Sequence, residues 1–214
     1  MMKSCGVDIL GMIKPWDKFF QEKLLKIFTE KKVILDIGGG LRTSLSRGNR
    51  LEEKNAWLED YVKKVDYKVL DKVSDYHPDI VGDVQQLPMP DASVEAVICI
   101  AVLEHVEEPQ KAVKEMYRVL KPGGFCFIYV PFLYYYHPMP GYYDDFYRFT
   151  YDGVKYLARD FKQVEIQNVR GALSTTANLL PFFSKKTGLF DWADRLFGRT
   201  LSKQTSGYYI FCVK

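Results

Sequence analysis

Apolar and polar positions follow two periods along this chain. From residue 12 to 30, Ile13, Trp16, Phe20, Leu24 and Ile27 recur at helical spacing with lysines on the other side, which predicts an amphipathic helix. Val33–Ile37 is a short apolar run and predicts a first strand. A polar loop over 41–49 leads into a second helical stretch, Leu51–Lys64. Tyr67–Leu70, closed by Asp71, and the short Asp79–Val81 read as strands. Val94–Ile100 is nearly all apolar, as expected of a strand covered on both faces. Pro109 opens a helix with Ala112, Val113, Met116, Val119 and Leu120 on one side, and Gly123-Gly124 stops it after Pro122. Phe125–Val130 is the fifth strand.

Strands alternating with helices in this way predict a doubly wound α/β sheet. After residue 131 the pattern changes. A polar-aromatic loop runs to about Phe149, a helix is expected over Tyr151–Phe161, and strands over Gln163–Val169 and Tyr208–Val213. The stretch between those two strands is longer than a plain connection. Within it Leu189, Trp192, Ala193, Leu196 and Phe197 predict an amphipathic helix. A chain of 214 residues fits one well-buried domain, 1–214, with 1–30 as an N-terminal helical lid and 171–207 as a helical insertion before the last strand. The amphipathic stretches 12–30 and 189–197 can pack onto the domain, cover a bound acceptor, or make a peripheral membrane contact.

Composition narrows the function classes. A hydrophobic fraction of 47% with 27% charged residues is that of an ordinary globular protein, and a net charge of +3 implies no nucleic-acid partner. Cys5, Cys99, Cys126 and Cys212 have no metal-ligand spacing, and no metal is expected from them. Their placement fits a reduced, cytoplasmic setting. No apolar run reaches the roughly 18 residues of a membrane helix, and the N-terminus has no signal-peptide core.

The candidate chemistry begins at Val33-Ile-Leu-Asp-Ile-Gly-Gly-Gly40, a strand running into a glycine turn at the carboxyl edge of the sheet, where open α/β sheets bind ligands. A dinucleotide fingerprint would place its third glycine at position 43, which is Thr43, and a phosphate loop would need a downstream Gly-Lys-Ser/Thr. Neither is present. Asp71 closes the second strand, where an acceptor-only carboxylate can take both hydroxyls of a ribose, with Asp75 as its competitor.

The glycine turn, Gly82-Asp83-Val84 with Leu87-Pro-Met-Pro-Asp91, Ala101-Val-Leu-Glu-His-Val106 and Arg118-Val-Leu-Lys-Pro-Gly-Gly124 follow in this order. Together they resemble class I S-adenosylmethionine-dependent methyltransferases, in particular the small-molecule branch of type 11-like domains. The resemblance spans 33–131. It implies a Rossmann-like, seven-stranded, mainly parallel sheet with an antiparallel last strand and helices on both faces. It implies S-adenosyl-L-methionine as cofactor, with Gly38 and Gly40 leaving room for its methionine part and Asp36 holding its amino group. By the same resemblance Asp83 accepts from the adenine amino group, the Val84 N–H donates to a ring nitrogen, and Ala101 borders the methionine portion. Arg42 stands where the family usually has a further glycine. The family commonly uses the His105 position for structure or for lining the cofactor pocket.

The segment His137–Thr150 resembles an H-x-P…D-x-x-R-F-T pattern found in a subset of these enzymes. It leaves the fifth strand beside the expected cofactor site. His137 is the candidate general base, and Tyr136, Asp145 and Arg148 are candidate acceptor contacts. Asp145 and Arg148 can instead form an i,i+3 ion pair, with His137 capping a turn. The expected function is methyl transfer to oxygen or nitrogen of a small-molecule acceptor. The alternatives are a non-catalytic S-adenosylmethionine-binding protein of the same fold and, disfavoured by Thr43, a nucleotide-dependent oxidoreductase.

Overall fold

The computed structural model describes residues 13–43, 52–180, 182–183 and 187–214. Its strands are β1 (Val33–Ile37), β2 (Asp66–Asp71), β3 (Ile80–Val81), β4 (Val94–Ile100), β5 (Leu120–Pro131), β6 (Gln163–Val169) and β7 (Gly207–Val213). They form one sheet in the order β3-β2-β1-β4-β5-β7-β6. Neighbours from β3 to β5 are parallel, and β7 runs antiparallel to both β5 and β6. This is the doubly wound, seven-stranded sheet with an antiparallel last strand that the sequence implied. The central reversal leaves the carboxyl ends of β1 and β4 side by side.

Alternation along each strand divides the core in two. Ile34, Ala96, Ile98 and Phe127 face one side, and Leu35, Val97, Cys99 and Ile128 the other. The first side is covered by α1 (Pro15–Glu30), whose buried residues Trp16, Phe20, Leu24, Ile27 and Phe28 keep the expected helical spacing. Phe20 meets Phe127 edge to face, with ring centroids 5.7 Å apart. Ile13 was expected on this stripe but is exposed just before the helix. The second side is covered by α3 (Pro109–Val119) and α4 (Tyr151–Leu157), through Ala112, Val113, Met116, Val154 and Leu157. The helix α1 is a layer of this core, while residues 1–12 of the expected lid lie outside the described residues.

Three local expectations change. Leu51–Lys64 is not one helix: a 3-10 segment over Glu53–Leu58 runs into a single turn, α2 (Glu59–Val62). Asn55 sits buried in its middle and donates its side-chain amide to the Leu41 carbonyl at 2.7 Å, so a tertiary hydrogen bond overrides helical periodicity there. The polar loop before it falls mostly on 44–51, outside the described residues. The fifth strand starts at Leu120 rather than Phe125, because Val94 pairs with Leu120 and the register then shifts before Ala96.

The third change concerns 171–207. It holds α5 (Ala172–Asn178), which has no clear apolar stripe, and α6 (Thr187–Leu196). On α6 the polarity is inverted relative to the sequence reading: Leu189 and Leu196 are exposed and Asp191 and Asp194 are buried. The Asp194 carboxylate accepts from the N–H groups of Leu173 and Ser174, both at 2.8 Å, and so caps the first turn of α5. Asp191 pairs with Lys14 at 2.6 Å, tying this region to the start of α1. Among the described residues no helix is long and apolar enough to cross a membrane.

Candidate active site

The carboxyl ends of the parallel strands open onto a cavity of about 1030 Å³, lined by Asp71 and Asp83 and by aromatic side chains that include Tyr134 and Phe146. Its floor is the turn after β1. Gly38 and Gly39 take positive φ, +77° and +57°, and Arg42 follows at +48°. Arg42 therefore adopts the left-handed conformation that a glycine usually supplies, and the turn keeps its path without a further glycine. Gly38 and Gly40 line the cavity, but the need for glycine comes from the protein side. A Cβ on Gly38 would lie 2.5 Å from Cγ2 of Val102, and one on Gly40 would lie 2.7 Å from Cβ of Ile100. The turn is pressed against the end of β4. There Ala101 also has positive φ, +55°, and its N–H donates to the Tyr129 carbonyl at 3.1 Å. Backbone held in this conformation at a cavity edge is a common mark of a functional site.

Asp71, at the end of β2, lines the cavity, and its Oδ1 accepts from the Val73 N–H at 2.8 Å. Desolvation raises its pKa against that hydrogen bond. The competitor Asp75 is turned away: its Oδ2 accepts from the Tyr142 hydroxyl at 3.1 Å. Asp83 and Val84 also line the cavity. Burial opposes ionisation of Asp83, but the Gln85 N–H, the Gln85 amide and Lys72 outweigh it, so the pKa falls. Asp36 departs from the expectation. It shares the α1-facing side of β1 with Ile34, is fully buried, and does not line the cavity. Its Oδ2 accepts from the Tyr67 hydroxyl and from the Leu41 N–H, so the carboxylate holds the glycine turn from behind.

Two motifs that read as separate in the sequence hold each other. Arg118 donates to Glu115, to Asp91 at 2.7 Å, and to the carbonyls of Leu87 and Met89. Glu115 in turn accepts from the Leu87 N–H at 2.9 Å. The guanidinium at the end of α3 thus fixes the Leu87–Asp91 loop beneath Asp83.

The aromatic part of the cavity is roofed by residues 132–149. This segment is strapped down at several points. The Glu104 carbonyl accepts from the N–H groups of Phe146 and Tyr147, and the Tyr147 hydroxyl donates to the Glu107 carbonyl at 2.8 Å. At its far side Tyr142 stacks on Tyr76, centroids 5.8 Å apart. Inside it, Arg148 and Asp145 form a bidentate pair at 2.5 and 2.6 Å, and Arg148 also donates to the Tyr135 carbonyl. Asp145 further accepts from the His137 N–H at 2.7 Å. The Arg148 hydrogen bonds lower the Asp145 pKa to about 2.

Tyr136, His137, Asp145 and Arg148 therefore do not line the cavity. Tyr136 is 76% exposed, Asp145 and Arg148 satisfy each other, and His137 stands behind His105. The cavity lining does include His105, Tyr134, Tyr143, Phe146 and Tyr129. His105 packs against Tyr143 at 4.3 Å and against His137 at 5.0 Å between centroids. Burial pushes the Tyr129 phenol well above the usual tyrosine range. The His137 pKa is raised by the neighbouring Glu104, against a smaller desolvation effect. Tyr129 and, on β7, Tyr209 escaped the sequence reading because their alternation marks them only as strand residues. Their position at the strand ends, facing the cavity, follows from sheet register.

Residues 35–128 match a family model described as a methyltransferase domain. The chain is 30% identical over 128 residues to a demethylmenaquinone methyltransferase of Chlamydia trachomatis, covering 57% of this chain and 52% of that one. It is 36% identical over 135 residues to a ubiquinone/menaquinone biosynthesis C-methyltransferase of Neisseria meningitidis, covering 59% and 54%. The chain thus spans about half the length of these relatives. A crystal structure of an S-adenosylmethionine-dependent methyltransferase from Archaeoglobus fulgidus shares the fold, with a TM-score of 0.58, 16% identity and 92% of both chains covered. The ordered motifs, the sheet order and the matched segment agree: residues 35–128 are similar to a methyltransferase domain, on a fold shared with S-adenosylmethionine-dependent methyltransferases.

Proposed function

We propose that this chain transfers a methyl group from S-adenosylmethionine to an oxygen or nitrogen of a small, ring-bearing acceptor. The carrying observation is the single cavity with two unlike ends. One is built of a glycine turn and carboxylates at strand ends, and the other of aromatic and imidazole side chains. When bound, the cofactor supplies a sulfonium methyl that a nucleophile displaces in line. Asp71 accepts from the ribose hydroxyls. Asp83 and the Val84 N–H read the adenine edge. Gly38, Gly40 and Ala101 border the methionine portion by backbone, and Asp36 supports that turn from behind the cavity.

At the other end, Tyr134, Tyr143 and Phe146 hold the acceptor ring, and the His105 ring stands at its edge. His137 acts through His105 and Glu104 as a positioning residue rather than by touching the acceptor. Asp145 and Arg148 keep the roof in place. The chain's work is alignment, with the reacting atoms held about 3–3.5 Å apart. A carbon acceptor on a hydroxylated ring is the second reading, favoured by the names of the two quinone-pathway relatives.

Calorimetry tests the cofactor. S-adenosylmethionine and S-adenosylhomocysteine should bind in the micromolar range, about −8 kcal/mol, and NAD should not compete. Saturable NAD binding without S-adenosylmethionine binding would sink the reading, and tight cofactor binding with no turnover on any acceptor would leave a non-catalytic binding protein. Carbon-13 NMR of product made with methyl-labelled cofactor separates the acceptor atoms.

A further inference from the structure

Two of the chain's three histidines meet at one carboxylate, at the acceptor end of the cavity. Oε1 of Glu104 lies 3.9 Å from Nε2 of His105 and 3.8 Å from Nε2 of His137. The three ligand-capable atoms all fall within 4.8 Å of one another. Each imidazole is oriented by its other nitrogen: Nδ1 of His105 lies 2.6 Å from the Asp144 carbonyl, and Nδ1 of His137 lies 2.8 Å from the Tyr135 carbonyl. A carbonyl only accepts, which favours a proton on Nδ1 of His105; Nδ1 of His137 faces both the Tyr135 carbonyl and, at 3.2 Å, the Arg148 guanidinium, and on both rings it is Nε2 that lies near Glu104. This is the outer arrangement that commonly orients metal-ligating histidines.

Glu104 itself is 1% exposed, and neither of its carboxylate oxygens has a hydrogen-bond partner among the described residues. Asp145 and Arg148, in the adjoining roof, hold each other in a bidentate pair. A buried carboxylate flanked by two imidazole nitrogens is an arrangement that can hold a cation. No hydrogen bond joins Glu104 to either histidine, since 3.8–3.9 Å is too long for one. For two ligands of one ion the spacing is close: with bonds of about 2.0–2.1 Å, tetrahedral partners stand about 3.4 Å apart. We infer that Glu104, His105 and His137 bind a divalent transition-metal cation of the zinc class. Two imidazoles and one carboxylate form a donor set suited to such ions, and three protein ligands leave a position open. Of the three, His105 lines the cavity.

Metal binding is read without any activity assay. The full chain, free of affinity tags and stripped with chelator, is titrated with Zn²⁺ by calorimetry and with Co²⁺ by visible absorption. One equivalent per chain is expected, with micromolar or tighter affinity and the d–d bands of low-symmetry cobalt. Glu104→Gln and His137→Ala should each weaken Zn²⁺ binding at least about tenfold, the cost of losing one ligand's interaction. They should also remove the rise in melting temperature that Zn²⁺ gives the wild-type chain. His77→Ala, at the histidine outside the cluster, should leave binding unchanged. Circular dichroism checks that the variants fold, and Glu104→Gln keeps the shape of the side chain. The inference is overturned if wild type shows no saturable binding. It is equally overturned if a folded Glu104→Gln/His137→Ala double variant binds Zn²⁺ as tightly as wild type.

Discussion

The two ends of the cavity are held by different means. The cofactor end is made of strand termini and turns whose geometry is imposed by the sheet: Gly38, Gly40, Asp71, Asp83 and Ala101 each sit within a few residues of a strand. Side chains there support backbone from behind, as Asp36 and Arg118 do. The acceptor end is made of one long segment, 132–149, with little regular structure of its own, strapped to Glu104, Tyr76 and Glu107 by separate hydrogen bonds and one aromatic stack. A shared cofactor needs a fixed cradle, whereas an acceptor site gains from a segment that can change without disturbing the sheet.

The first test of this division is His137→Ala. It should leave S-adenosylhomocysteine affinity unchanged by calorimetry while turnover falls by roughly 10–100-fold once an acceptor is in hand, the range expected when a residue that orients a working side chain is lost. Equal losses of cofactor binding would show that the two ends are coupled.

Asp71→Asn makes the reciprocal test. Losing the charge on one side of hydrogen bonds to the ribose should cost about 1.5–3 kcal/mol of cofactor affinity, with the melting temperature nearly unchanged. Asp75→Asn should leave cofactor affinity alone, because that carboxylate is spent on the Tyr142 hydroxyl of the roof. If Asp75→Asn does the damage instead, the ribose lies one turn further along.

Next comes Arg148→Ala. It strands the Asp145 carboxylate, whose side chain is fully buried. Stability should fall by about 1–3 kcal/mol, read as a lower urea midpoint. An intact midpoint with a selective acceptor defect would return Arg148 to the substrate.

The smallest effect probes α1, the layer under both ends. Burial raises the Asp17 carboxyl to about 6, partly opposed by Lys14. Its unfolded value is about 3.9, so between those two values the folded chain holds more protons than the unfolded one. Stability is therefore lost as pH rises through this window. Asp17→Asn removes the effect, so the variant's melting temperature should gain on wild type as pH rises from 4 to 7. A constant difference across that range would place Asp17 in solvent.

The sheet could be read from the sequence because its signals are local. Val94–Ile100 and Gln163–Val169 appear where their patterns put them. Asp71, Asp83 and Val84 reach the cavity because a residue at a strand's carboxyl end is carried there by the topology. The acceptor end was legible only as a composition. The sequence placed His137, Asp145 and Arg148 in the right segment, but which of them faces the cavity depends on how that segment folds back onto Glu104. The helix α6 failed for a related reason. Its acids turn inward to cap α5 and to meet Lys14, and no periodicity within α6 carries that information.

By itself, then, the sequence determined the resemblance to methyltransferases, the mainly parallel sheet with an antiparallel last strand and the carboxylates at the strand ends, since each follows from short-range pattern or from residues adjacent to a strand. Tertiary structure alone decided that Arg42 replaces a glycine by taking its conformation, and that Asp36 works from behind the site. It also decided that Arg118 joins two motifs 27 residues apart, and that Glu104, His105 and His137 converge. These depend on contacts between segments distant in the chain, and the geometry of such contacts is set only when the sheet, its helices and the roof pack together.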